Sequence, residues 1–183
     1  MILGPKKLLA LVKGKKLVEN LAERELKEPE GAGFDLRIGE IFKISGKAFL
    51  GEFERETPDV KTVAKYTPGK SRKVTIKSGE FYLGKTIEFV NTPRNLTINF
   101  KPRTTTFRSG LYLRTGNVAP GYRGELTFAI KNEGPIPVVL EMGARIMHAQ
   151  FEEVKGGGSL YRGQWQGGRV TTKATTRKRE VQV

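Results

Sequence analysis

From Phe34 onward the chain alternates apolar and polar residues in short runs, broken by Gly, Pro and Asn, and strands bury such a pattern on one face. Phe34, Leu36 and Ile38 alternate, and Ile41, Phe42 and Ile44 follow Gly39. Lys73–Lys77 and Phe81–Phe89 give two further strands, with Ser78-Gly79-Glu80 as the turn between them. Leu96–Phe100, Leu111–Leu113, Glu125–Ile130, Val138–Leu140 and Arg145–Phe151 continue the series. Many short strands punctuated in this way predict an all-β sandwich or jelly roll. A chain of 183 residues fits one domain with a real core. Its 22 glycines and 37% hydrophobic content suit a loop-rich β protein better than a helical bundle. The polar stretch Thr57–Arg72 reads as a long loop, and no fixed-period repeat is present.

Before the alternating region, Leu8, Leu9, Leu11 and Val12 behind Pro5 predict a short N-terminal helix ending near Gly14. Leu17–Leu26 is ambiguous, and Pro29–Gly33 is a breaker cluster. Lys13 interrupts the short apolar patch and no small-residue cleavage site follows, so no signal peptide is read. No run approaches a membrane span, and the simple expectation is a cytoplasmic protein. With no cysteine and a single histidine, His148, a zinc-deaminase site of the His/Cys/Cys type is excluded. His148 sits in an apolar strand and reads as packed rather than catalytic. The net charge of +14 is spread along the chain. It fits a solvated Lys-rich surface, attraction of nucleoside triphosphates, or nucleic-acid binding. The last is not favoured, because no aromatics cluster between the basic residues.

Two segments carry chemistry. Lys101-Pro-Arg-Thr-Thr-Thr-Phe-Arg108 offers guanidinium forks and hydroxyls to an anion. Asn117-Val-Ala-Pro-Gly-Tyr-Arg-Gly-Glu125 offers a tight turn and an aromatic ring to a small planar ligand. Further on, Gly156–Gly158 supplies a hinge before Tyr161-Arg-Gly-Gln-Trp-Gln-Gly167, whose glycines allow close approach to phosphates.

These segments resemble the dUTP diphosphatase (dUTPase)/dCTP deaminase family, most closely the archaeal dUTPases that are deaminase-like in sequence. Met-Ile-Leu-Gly at the start resembles archaeal members, and Gly31-Ala-Gly-Phe-Asp-Leu-Arg37 resembles the first family motif. Lys101–Gly110 resembles the second, with Thr104 and Thr105 for the usual serines and Thr106 for leucine. Gly121–Glu125 resembles the third, Gly143–Gln150 the fourth, and Tyr161–Gly167 the closing segment.

The resemblance implies a distorted jelly roll (the dUTPase β-clip) with a short N-terminal helix. It also implies a homotrimer with sites shared between subunits, and Mg²⁺ held by nucleotide phosphates and waters rather than by direct protein ligands. It assigns residues 1–170 to one domain, 156–170 to a lid and 171–183 to a basic, disordered tail. Phosphates would meet Arg103, Thr104, Thr105, Arg108, Gln164 and Gln166. The pyrimidine and deoxyribose would meet Gly116, Asn117, Val118 and Tyr122, with backbone groups around 116–118 reading the uracil edge. Tyr161, Arg162 and Trp165 would form the lid. Asp35 is either an acceptor for Mg²⁺-bound water or a structural carboxylate bonded to nearby amides.

Two positions depart from the family. Ala119 stands where relatives carry the Asp that activates water, and Ala129 where deaminases carry a catalytic Glu. The resemblance therefore implies a deoxypyrimidine-triphosphate-binding chain acting on dUTP weakly, or a non-catalytic dUTP/dCTP-binding paralogue. Deamination of dCTP is not expected.

Overall fold

The computed structural model describes residues 1–172 and 180–181. It is mostly β, and every strand that the alternation predicts is present, together with further strands that it does not. The elements are α1 (Pro5–Lys15), β1 (Val18–Glu19), α2 (Glu23–Lys27), β2 (Phe34–Ser45), β3 (Phe49–Leu50), β4 (Glu54–Glu56), β5 (Asp59–Lys65), β6 (Lys73–Ile76), β7 (Phe81–Asn91) and β8 (Leu96–Pro102). They continue as α3 (Thr104–Arg108), β9 (Leu111–Arg114), β10 (Arg123–Asn132), β11 (Val138–Glu141), β12 (Arg145–Glu153) and β13 (Glu180–Val181).

The main sheet runs β8-β12-β2-β7-β10-β9, with β1 added on β7 and β5 on β2. Its two ends approach one another through a backbone bridge between Ile98 and Val118, so the sheet is nearly closed into a barrel. Strict alternation along β7 and β10 sends Tyr82, Val90, Leu126, Phe128 and Ile130 inward. Phe34 and Phe151, both fully buried, meet edge to face with ring centres 5.9 Å apart. Each such side chain contributes about 1.5–3 kcal/mol by leaving water.

Gly39 does not split the second strand. β2 runs through it without a break, because a side chain there would collide with the Thr86 carbonyl of β7. The stretch Thr57–Arg72 is not simply a loop, since β5 lies inside it and pairs with β2 from Glu40–Lys65 to Ser45–Asp59. The ambiguous Leu17–Leu26 becomes β1 followed by α2. Thr172 is fully buried, and β13 pairs with β4. Residues 173–179 and 182–183, where the rest of the expected disordered tail falls, lie outside the described residues. No helix among the described residues is long and apolar enough to cross a membrane.

Candidate functional site

A cavity of about 360 Å³ opens between the segment after β9, strands β7 and β10, and the returning C-terminal segment. Gly116, Asn117, Val118, Ala119 and Tyr122 form one side of it. Leu83, Phe100, Leu126 and Thr127 come from strands, and Tyr161, Trp165, Arg169, Val170 and Thr57 complete the wall. Four of the proposed pyrimidine and deoxyribose residues, Gly116, Asn117, Val118 and Tyr122, thus share one cavity with the proposed lid residues Tyr161 and Trp165. Arg162 does not line it. Among the described residues that line the cavity there is no Asp, Glu, His or Lys.

Local bonding fixes this wall. Val118 gives its N–H to the Ile98 carbonyl at 2.8 Å and accepts from Ile98 N at 3.1 Å and from Thr97 Oγ1 at 2.8 Å. The backbone at 118 is therefore committed to the barrel, and of the backbone groups expected around 116–118 those of Val118 are already bonded within the chain. Tyr122 closes the following turn by donating its N–H to Ala119 O, at 3.2 Å. Gly121 (φ +79°) donates to Thr92 O at 2.8 Å, and Thr92 donates to Tyr122 O at 2.9 Å. The Tyr122 ring is buried and meets Tyr161 edge to face at 5.4 Å. Its hydroxyl donates to Glu125 O at 2.8 Å. Burial, then the neighbouring Tyr161 hydroxyl, pushes the phenol up to about 12, so it keeps its proton at any working pH.

The C-terminal segment is laced to this turn. Tyr161 N donates to Pro120 O at 2.7 Å, and Gly167 N donates to Arg123 O at 2.7 Å. Gln166 accepts from Arg123 N at 2.7 Å and donates to Gly121 O at 3.0 Å. Gln166 is expected on phosphates; its amide is engaged in holding the C-terminal segment to the turn. Gln164 does not line the cavity, and both atoms of its side-chain amide are buried without a partner among the described residues. Farther along, Thr171 Oγ1 donates to Pro58 O at 3.0 Å, and Thr57 N donates to Thr172 Oγ1 at 3.0 Å. Thr57 and Arg169 were not found from the sequence. No family motif covers them, and the pairing of Thr57 with Thr172 joins residues 115 positions apart.

The residues expected on phosphates gather elsewhere. Arg103, Thr104, Thr105 and Arg108 are absent from the cavity lining. The three consecutive threonines open the short helix α3, and Thr106 is buried with its hydroxyl donating to Ile146 O at 2.8 Å. Arg103 Nε lies 2.9 Å from Asp35 Oδ2, beside Arg145 Nη1 at 3.0 Å, while His148 Nδ1 contacts Asp35 Oδ1 at 3.0 Å. Glu25, fully buried, accepts from Asp35 N at 3.0 Å and from Arg24 at 2.8 Å. Burial would raise the Asp35 carboxyl, but the His148 contact and the Arg103 and Arg145 charges outweigh it and hold it below its ordinary value. Both Asp35 oxygens are thus engaged by side chains of this chain. His148 is packed against Gly31 and Gly33 and is tied to this cluster. Among the described residues no group of three or more His, Cys, Asp or Glu is placed to hold a metal ion.

Ala119 is in the cavity wall, whereas Ala129 is not. Glu125, the nearest carboxylate in sequence, is also outside the wall and packs under Gly168, whose Cα leaves no room for a side chain there.

Comparison with known proteins places the chain in a family. The family profile described as dCTP deaminase-like matches residues 2–154. The dUMP-forming dCTP deaminase of Dictyoglomus turgidum is 30% identical over 156 residues, covering 82% of this chain and 79% of that protein. A probable deoxyuridine 5'-triphosphate nucleotidohydrolase of Methanothermobacter thermautotrophicus is 30% identical over 142 residues, covering 78% and 89%. Among solved structures, the 2'-deoxycytidine 5'-triphosphate deaminase of Agrobacterium tumefaciens superposes with a TM-score of 0.65 at 18% identity. That match covers 84% of this chain and 48% of the deaminase, so this chain spans about half its length and the likeness speaks for the fold. The chain belongs to the dCTP deaminase-like family.

Proposed function

We propose that this protein binds a deoxypyrimidine triphosphate, dUTP foremost, and hydrolyses it to dUMP and pyrophosphate only slowly. The single observation that carries the reading is the composition of the cavity wall. Tyr122, the 116–119 segment and the C-terminal segment surround a space of nucleoside size, yet no carboxylate or imidazole among the described residues faces it. Hydrolysis at a phosphate needs a group that positions and deprotonates water, and losing such a base costs about 10²–10⁴-fold in rate. Ala119 occupies the place in the wall where family resemblance puts that base. Deamination would need the Glu whose position Ala129 occupies.

Arg103, Arg108, Thr104 and Thr105 are proposed to meet the triphosphate together with Mg²⁺ carried by the nucleotide. Their separation from the cavity within one chain supports a homotrimer in which a neighbouring copy brings its cationic cluster to the cavity. The protein is read as cytoplasmic. The second reading, a non-catalytic dUTP- or dCTP-binding regulator, rests on the same wall and differs only in turnover. Nucleic-acid binding through the basic surface is the weakest reading.

Calorimetric titration with non-hydrolysable dUTP and dCTP analogues, followed by a pyrophosphate-release assay on dUTP, tests this. Binding with slow release is expected. Binding without any release selects the regulator, and failure to bind either analogue overturns both.

A further inference from the structure

Arg169 is the one charged side chain in a wall otherwise made of neutral groups among the described residues. It does not hang free. Its Nη2 lies 2.7 Å from Glu180 Oε1 and is within 3.4 Å of the Thr171 and Thr172 carbonyl oxygens. Its Nε is shielded from solvent and has no partner among the described residues. The hydroxyl of Thr127, another wall residue, is shielded and unpartnered in the same way. Shielded donors without partners are costly, at about 1–3 kcal/mol each. Both residues line the cavity, and a turn of either side chain would offer its uncommitted donor to a ligand there.

We infer that Arg169, held in place by Glu180 and joined by Thr127, reads the pyrimidine edge of the nucleotide proposed above and selects uracil over cytosine. A guanidinium carries donors and no acceptor. Uracil presents a carbonyl oxygen at its 4-position, which accepts from such a donor; cytosine presents an amino group, which sets donor against donor and leaves both unpaired. The Thr127 hydroxyl can donate or accept, and so can face the N3–H of uracil. The backbone at Val118 is already spent on Ile98 and cannot do this reading.

A phosphate is the poorer occupant for Arg169. Its charge is balanced by Glu180, and Leu83, Phe100 and Leu126 beside it would strip water from a triphosphate without compensating it. The cluster at Asp35 is larger, with three guanidiniums (Arg24, Arg103, Arg145) gathered on the three carboxylates Glu25, Glu30 and Asp35.

The inference rests on the nucleotide-binding reading, and one experiment separates the two. The intact protein is titrated with non-hydrolysable dUTP and dCTP analogues in the presence of Mg²⁺, as wild type and as Arg169→Gln, Glu180→Gln and Thr127→Val. Wild type is expected to prefer the dUTP analogue by about tenfold or more. Arg169→Gln should bring the ratio close to one by weakening the dUTP analogue. Glu180→Gln, which loosens Arg169 without removing it, should move the ratio the same way by less, while Thr127→Val should weaken both analogues alike, because a hydroxyl pairs with the N3–H of uracil and with the N3 acceptor of cytosine. Partial unfolding lowers both affinities together and leaves their ratio untouched, as would a contact with phosphates or with the 2-carbonyl that both bases share. An unchanged ratio in Arg169→Gln, or a wild-type preference for the dCTP analogue, overturns the inference while nucleotide binding stands. Failure of wild type to bind either analogue overturns the nucleotide reading and this inference with it.

Discussion

Ala119 places a methyl group where the turn would otherwise aim a functional side chain into the cavity. The turn is pinned on both sides by the reciprocal Thr92 bonds, so Ala119→Asp should project its carboxylate into the same space. Pyrophosphate release from dUTP is expected to rise about 10²-fold or more in that variant. Affinity for the dUTP analogue should fall, because a carboxylate beside a triphosphate is a like-charge contact. Retained binding with flat turnover would mean that the site has drifted in more than its base. Asp35 gives a second residue-scale prediction. Its folded-state acidity is shifted below the unfolded value of about 3.9. The stability it contributes is therefore complete above that value and is lost as pH falls from there through the lower folded value. Urea unfolding of Asp35→Asn should show a protein weaker than wild type at pH 6, with the gap closing on acidification below about pH 4. A constant gap would mean that the ion cluster contributes nothing titratable. The motifs around these residues could be read from the sequence because each is a short local string. That Asp35 is consumed by Arg103, Arg145 and His148 could not, because those partners lie 68, 110 and 113 positions away.

Elements buried on one face announced themselves. β7, β8, β10 and β12 carry alternation in their side chains, and the structure places them with ends shifted by only a few residues. β5 did not, because it is an edge strand whose one fully buried residue is Ala64, with Lys61 and Lys65 exposed. Charged edges of that kind guard a sheet against further pairing and read as loop. α3 was hidden for another reason. Three successive threonines are poor helix formers, and the turn is held from outside, by Arg103 N and Thr106 Oγ1 on the Ile146 carbonyl. The C-terminal segment showed its glycines in the sequence but not their purpose. Gly124 (φ +150°) has no room for a Cβ, which would run into the Gly168 backbone nitrogen. Gly124→Ala should therefore displace the 156–170 segment at a cost of about 1–3 kcal/mol while the barrel remains folded. Trypsin should then cut faster at Arg162 and Arg169, and the emission of the single tryptophan, Trp165, should shift to the red. Wild-type cleavage rates would place the segment's anchorage elsewhere.

At the scale of the whole molecule the charge of +14 acts on arrival rather than on the bound state. The association rate of a dUTP analogue, followed by stopped-flow on Trp165, should fall as salt rises from 0.05 to about 0.5 M, where the Debye length shrinks well below 10 Å. The dissociation rate should move less, and a salt-independent association rate would leave the charge as a solvated surface alone. Assembly is open to a direct check. Light scattering at micromolar concentration is expected to give three times the 20.4 kDa chain mass, and a monomer would remove the basis for a cavity completed by a neighbour. The joint between Ile98 and Val118 carries a last consequence. It draws the ends of the sheet together and positions the cavity wall with the same pair of backbone bonds, so that wall is set before any ligand comes. An occupant need not freeze it, and the ordering cost of binding falls on the C-terminal segment instead. The amide proton of Val118 should then exchange at nearly the same slow rate with and without ligand, while those of Tyr161 and Gly167 slow on binding. Side by side, those rates would divide the receptacle from its cover.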